Sequence, residues 1–315
     1  MTLVLVLVLV LAALVFPWAA AAAARRMASA LPPREACAAI TGAAVLAAAG
    51  TGAALVGLAH VPFLALFEGL SLARVAAAWP AALPVAGVAA AVLAAQLVLV
   101  ARRWSGHRSL LARTWADTAD AEAEGDLLVV TGENPDAFAL PGRGLRAGRV
   151  VVTRAMLQVL NARERRVLVA HERAHLAGRH HLLSVTVHLA AAVHPALRVL
   201  GPVLDFHLER WADESAAEAV GDRRLAATAL ARAALAGASA GRAARGPLLS
   251  VSTGPVPQRV QALLGPLPTR PAAPSAQAAV AGLGLAVLAC TVSAAAVAYG
   301  LHEYVELASR AIRGH

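Results

Sequence analysis

Four stretches of the chain are nearly unbroken apolar runs, and the polar positions gather between and after them. The runs are Leu3–Ala24, Ala38–Ala59, Ala78–Ala101 and Ala276–Gly300. Each reaches the roughly 20 apolar residues that cross a hydrocarbon layer of about 30 Å, so each is predicted to be a spanning helix. The first has no positively charged n-region and is too long for a secretory h-region, which favours a retained helix over a cleaved signal peptide.

The pattern changes between the third and fourth runs. "GDLLVVTG" (Gly125–Gly132) and "GRVVVTR" (Gly148–Arg154) are β-branched runs bounded by glycine and predict strands. The "ENPDAFALPGRGL" between them reads as turn, short extended piece and turn. "AMLQVLNARERRVLVAHERAHLAG" then predicts a short helix and a longer one. Asn161 is the expected N-cap of the longer helix, Glu164 its capping-box partner and Gly178 its stop. A further helix is expected over Phe206–Glu218. Residues 237–275, rich in Gly, Pro, Ala and Arg, read as mostly loop. The expected division is 1–101, three spans; 102–275, a folded domain; 276–300, the fourth span; and 301–315, a short tail.

Composition sharpens this picture. The chain is 59% hydrophobic and 15% charged, well below the charge of an average soluble domain. No lysine occurs, and much of the +9 net charge is arginine flanking the apolar runs. Arg25, Arg26 and Arg34 follow the first run, and Arg102, Arg103, Arg108 and Arg113 follow the third. The loop between the second and third runs carries only Glu68 and Arg74. By the positive-inside rule the N-terminus lies outside, residues 102–275 are cytoplasmic and the tail is outside, a multi-pass cell-membrane protein. Aromatic residues make up only 4%, and the arginines form no single block, so no direct nucleic-acid binding is expected. Cys37 and Cys290 belong to no CxxC pair and read as packing residues.

The chemistry gathers in "VLVAHERAHLAGRHH", Val167–His181. Residues four apart share a helix face, so His171 and His175 can hold one ion, most simply zinc. Glu172, beside the first ligand, is placed to take a proton from a water that the zinc acidifies. By chance alone, roughly one or two chains per hundred of this composition would carry HExxH, so a third ligand must decide. The candidate lies in "HLERWADESAAEAVGD", His207–Asp222. Glu209 can ligate, and Asp213, one helical turn later, can hydrogen-bond the outer nitrogen of a ligand histidine and fix its tautomer. Taken alone, this stretch reads as a solvated acidic face; paired with HERAH, it reads as the rest of a site.

Topology bears directly on that pairing. If the fairly apolar Leu182–Leu204 crossed the membrane, Glu209 would lie on the opposite side from His171 and His175. It carries His188, His194, Pro195 and Arg198, costly at mid-bilayer, so it is expected to pack on the domain or the membrane surface without crossing.

At these residues, HERAH followed by ExxAD, the chain resembles the membrane-embedded gluzincin metallopeptidases. It is most similar to the BlaR/MecR-type antirepressor peptidases, with the CAAX prenyl protease and heat-shock membrane protease group as more distant kin. The resemblance covers about residues 125–265, including "NPDAFAL", "VVVTRAML" and "PQRVQALL". It implies a multi-span α-helical membrane protein with a cytoplasmic α+β zincin-like domain. It implies one zinc per chain on His171, His175 and Glu209, Glu172 as general base, and Asp213 at the acidic position behind the ligands. It also implies a substrate-binding edge strand over Ala137, Phe138, Ala139 and Leu140, which takes up substrate by adding a strand. The implied partners are the lipid bilayer and a protein substrate, a transcriptional repressor in that group, with a membrane partner or homo-oligomer left open. That group carries a penicillin-binding sensor after its last span, and this sequence ends at His315 without one.

Other residues receive smaller roles. His180 and His181 read as helix-capping or solvent-facing, His107, His188 and His194 as structural, and His207 as a weak candidate for steadying an oxyanion. Arg259 is expected to anchor the last helix of the domain. The sequence thus describes a zinc-dependent membrane endopeptidase acting in signalling or regulated proteolysis. The alternative is a catalytically silent membrane receptor or scaffold that retains the fold. A transporter would need charged residues along its spans, which hold almost none.

Overall fold

Proline opens the first two helices, where its missing N–H costs no hydrogen bond. The computed structural model describes residues 11, 14–67, 69, 71–78, 80–239, 255–267 and 274–313. Helix α1 (Phe16–Ser29) has Pro17 in its first turn, and α2 (Pro33–Ala59) begins at Pro33. Two short helices follow, α3 (Val61–Phe67) and α4 (Leu72–Ala78), and then the 36-residue α5 (Ala82–Asp117). Among the described residues, α2 and α5 are the helices long and apolar enough to cross a membrane. Residues 3–10, 12 and 13 of the first expected span lie outside the described residues, and its later part belongs to α1. The fourth falls within the 40-residue α12 (Pro274–Arg313), some of whose side chains lie outside the described residues.

Past α5 the chain forms a four-stranded sheet. Its strands are β1 (Glu122–Glu124), β2 (Leu127–Val130), β3 (Ala137–Leu140) and β4 (Arg149–Thr153), in the order β1-β2-β4-β3. β2 and β4 are parallel, and the outer pairs are antiparallel. Alternation along β4 sorts its valines between two faces. Val150 and Val152 join one core with Met156, Leu168 and Leu230, whereas Val151 joins Leu128, Leu140 and Trp115 on the other. Trp115 donates its indole N–H to Pro141 O at 2.9 Å, tying the end of α5 to the sheet. Strand β1 was not expected, since its fully exposed Glu-Ala-Glu carries no β signal. The second expected strand loses Arg154, because Thr153 caps the next helix, α6 (Arg154–Val159), by accepting from Met156 N–H.

Helix α7 (Ala162–Ala177) begins at Asn161 with the expected capping box. Asn161 Oδ1 accepts from Arg163 and Glu164 N–H at 3.0 Å each, and Glu164 accepts from Asn161 N–H at 2.9 Å. The apolar Leu182–Leu204 is divided among α8 (His180–Val193), a 3-10 turn (Pro195–Val199) and the start of α9 (Leu200–Val220). At fourteen residues, roughly 21 Å at 1.5 Å per residue, α8 falls short of a hydrocarbon layer of about 30 Å. It turns back at His194–Pro195, where His194 Nδ1 accepts from Ala196 N–H at 3.2 Å. The α8–α9 hairpin therefore brings the chain back to pack beside α7. Its apolar faces share a core with α1, α2 and α12, including Ala24, Ile40, Ala44, Leu197, Leu204 and Val287.

Helix α9 is longer than the expected Phe206–Glu218 and ends at Gly221, whose φ of 68° suits a left-handed cap. Next come α10 (Arg223–Ser239) and α11 (Val256–Leu264). The latter adds a helix within the segment 237–275, which was expected to be mostly loop. A nine-residue helix carries little propensity signal, and this one is held by the burial of Arg259 and Leu263. Residues 240–254 and 268–273 of that segment lie outside the described residues.

The fold leads to a first prediction, on membrane topology. Reporter fusions after Arg113 and after Gly265 are expected to report the same, cytoplasmic side, and a fusion at His315 the outside. Disagreement between the two internal fusions would mean that the α8–α9 hairpin crosses.

Candidate metal centre

The capping box sets the register of α7 so that Val167, Leu168, His171, Glu172 and His175 turn inward. Helix α9 packs across that face and brings Glu209, fully buried, against both imidazoles. His171 Nε2 and His175 Nε2 lie 3.1 Å apart. Glu209 Oε2 is 3.6 Å from the first and Oε1 is 3.5 Å from the second. The three side chains form a buried set whose donor atoms all lie within 4.8 Å of one another, close enough to hold one metal ion.

Each histidine is held from behind. Asp213 Oδ1 lies 3.1 Å from His171 Nδ1, and His180 Nδ1 lies 2.8 Å from His175 Nδ1. With both outer nitrogens engaged, both Nε2 atoms are left to face Glu209. Neither oxygen of Glu209 accepts a hydrogen bond of good geometry among the described residues. Its charge is balanced instead by Arg259, whose Nη1 sits 2.7 Å from Oε2. The same guanidinium donates to both oxygens of Asp213, from Nε at 2.7 Å and from Nη2 at 2.6 Å. Arg259 thus anchors α11, as expected, and it does so on the ligand and support carboxylates.

The electrostatics favour a cation. Burial pulls the His171 imidazole down, but Asp213 and Glu209 outweigh it and push it up to about 10. Burial, with the charges of His171, His180 and Arg259 adding to it and Glu209 opposing, holds His175 well below its ordinary range. Burial raises Asp213 too, yet Arg259 and His171 hold it down at about 2, so it stays ionised. Two imidazole nitrogens and a carboxylate, converging in a place that stabilises positive charge, are a fitting donor set for zinc.

Glu172 stands beside this set with both carboxylate oxygens buried and, among the described residues, accepting no hydrogen bond of good geometry. Burial pushes its carboxyl up to about 8; His171 opposes the shift, while Glu209 and Asp136 add to it. Near neutrality, such a group can both take and return a proton. The backbone of Ala139, on β3, lies close enough to act on Glu172, and the sheet order leaves β3 at an edge. A cavity of about 680 Å³ opens beside His175, lined among others by Leu110, Ala139, Val185, Leu189 and Asp205.

Two residues differ from the sequence expectation. His180 neither caps α7 nor meets solvent; it is fully buried against His175. The only sequence signal was its place five residues after His175, and that means nothing until the helix breaks between them. His207 lies two positions before Glu209, roughly 200° around the helix, and packs on Phe206 with ring centroids 5.4 Å apart. That direction does not suit an oxyanion donor at this centre.

A buried HExxH pair closed by a glutamate from a second helix is a candidate metal centre of the kind metallopeptidases use. The model of Peptidase family M48 matches residues 107–204, which supports a metallopeptidase domain of the M48 kind in that part of the chain. The matched segment covers the sheet, α7 and α8 but stops short of Glu209, so the third donor rests on geometry. No curated protein and no solved structure matches the chain.

The buried charge cluster supplies the second prediction. Removing one partner of a buried ion pair strands the other, typically at about 3–5 kcal/mol. Arg259→Ala is therefore expected to destabilise the chain by about 3 kcal/mol in denaturant titrations in detergent. Stability equal to wild type would show that Glu209 and Asp213 need no counter-charge.

Proposed function

We propose that the chain is a membrane-integrated zinc endopeptidase of the BlaR/MecR-like type, cutting a cytoplasmic or membrane-associated protein in regulated proteolysis. The observation that carries this reading is the convergence of His171, His175 and Glu209 in one buried set next to the buried carboxylate of Glu172. Two helices long and apolar enough to cross a membrane support the membrane location, and the M48 match supports the peptidase activity.

In this reading His171, His175 and Glu209 hold the metal, and zinc supplies the Lewis acidity that activates water and polarises the scissile carbonyl. Glu172 takes the proton of the attacking water on a carboxylate oxygen and then delivers it to the leaving amine. Burial prepares it for both steps by raising its pKa to about 8. Asp213 accepts from His171 Nδ1 and keeps that ring in the ligating tautomer. The substrate lies extended along Ala137–Leu140, adding a strand to the free edge of β3, which brings its backbone past Ala139 toward Glu172. The adjoining cavity receives a side chain from that strand.

The third prediction separates metal binding from turnover. Purified wild-type chain is expected to bind one zinc. Glu209→Ala should lose most of the metal, whereas Glu172→Gln should keep it and lose about 10²–10⁴-fold in turnover. Proteomics on cells holding wild type or Glu172→Gln is expected to reveal one cytoplasmic or membrane protein that ceases to be cut. If no protein differs between the two, the chain is instead a silent receptor on a peptidase fold.

A further inference from the structure

Two different groups stand behind the two histidines of the metal centre. Behind His171 is a carboxylate, whose part is clear; behind His175 is another imidazole. The rings of His175 and His180 meet at 87°, centroids 4.7 Å apart, with their Nδ1 atoms 2.8 Å apart. One of these nitrogens must carry the hydrogen, and the ligand role decides which. If His175 is to present a lone pair at Nε2, its hydrogen must sit on Nδ1 and His180 Nδ1 must accept it. We infer that His180 is a positioning residue of the metal centre: by accepting the Nδ1–H of His175 it fixes that tautomer and ring plane, and so raises the affinity for zinc. The inference rests on the metal reading given above.

Three features hold His180 in place. Arg179, with φ 49° in the left-handed region, turns the chain sharply between α7 and α8 and returns His180 to His175. Gly178 has an ordinary φ of −77°, so its contribution is the missing Cβ. A Cβ there would meet His180 Nε2 at 2.4 Å and Cδ2 at 2.6 Å. Trp211, two residues beyond Glu209 on α9, packs against the imidazole with ring centroids 4.4 Å apart. Trp211 in turn carries the guanidinium of Arg34, from the first turn of α2, 5.6 Å from its ring centroid. Helix α9 therefore supplies both a ligand and the wall behind His180. His180 is 0% exposed, so solvent does not compete for its contact with His175.

The fourth prediction tests this role through metal affinity, independently of turnover. Zinc Kd would be measured on the full chain in detergent by competition with a chromophoric chelator. Leucine and asparagine have similar shape, but only asparagine keeps an acceptor near the position of Nδ1. His180→Leu is expected to bind zinc about 10–100-fold more weakly, and His180→Asn to retain most of the affinity. A packing role alone would give the opposite order, because burying an amide costs more than burying an isobutyl group. Gly178→Ala keeps the imidazole but displaces it, and is expected to weaken zinc in the same direction even if the His180 variants fold poorly. Wild-type affinity in His180→Leu, or in Gly178→Ala if the former does not fold, overturns the inference alone. Wild-type chain whose zinc is unaffected by Glu209→Ala overturns the metal reading and this inference together.

Discussion

Arg259 lies fully buried with its guanidinium between Glu209 and Asp213, and the centre depends on that contact. Two carboxylates drawn out of water on one helix face would repel each other and pay heavily for lost hydration. A guanidinium suits the task because its planar fork can serve two acceptors at once without losing its charge. It leaves Asp213 ionised and free to hold His171, and it leaves Glu209 anionic with its oxygens toward the imidazoles. Arg259 belongs to α11, so a nine-residue helix far along the chain is tied to the chemistry of α7 and α9.

The α8–α9 hairpin imposes the second constraint. The chain must leave α7 after the two histidines and return with Glu209 to the same place. A turn at His194–Pro195 and an apolar surface that packs on α1 and α2 make the return favourable. The core of the helical bundle and the support of the metal centre are consequently continuous. Leu204 and Leu208 of α9 face the bundle, while Glu209 and Asp213 on the same helix face α7. Gln96 and Arg103 of α5 add hydrogen bonds to Val193 O and His188 O of α8. Movement of the bundle would thus be felt first at the hairpin that carries Glu209 and Trp211.

Local rules made much of this legible in the sequence. The capping box at Asn161, the four-residue spacing of His171 and His175, and the β-branched runs of β2 and β4 each depend on neighbours within one turn or one strand. The strand over Ala137–Leu140 was legible locally as a short extended piece between turns, but its role as a substrate-binding edge came only through resemblance. Helix α11 was expected only as a last helix around Arg259, without bounds, and strand β1 was missed, because neither has local preference enough to appear without its partners. The apolar run Leu182–Leu204 was separable from a span by its histidines and proline, which are expensive in lipid and inexpensive at a turn.

The sequence by itself determined which groups were available, namely two imidazoles and a glutamate at helical spacing, with two more carboxylates on a later helix. Only the tertiary structure decided which of the remaining polar residues support them. Arg259 and His180 stand 46 residues after Asp213 and five after His175, and neither separation carries a period that secondary structure would enforce. Their roles arise from burial. A charge or a ring nitrogen withdrawn from water must find a partner wherever the packing puts one, and that position is set by all the helices together.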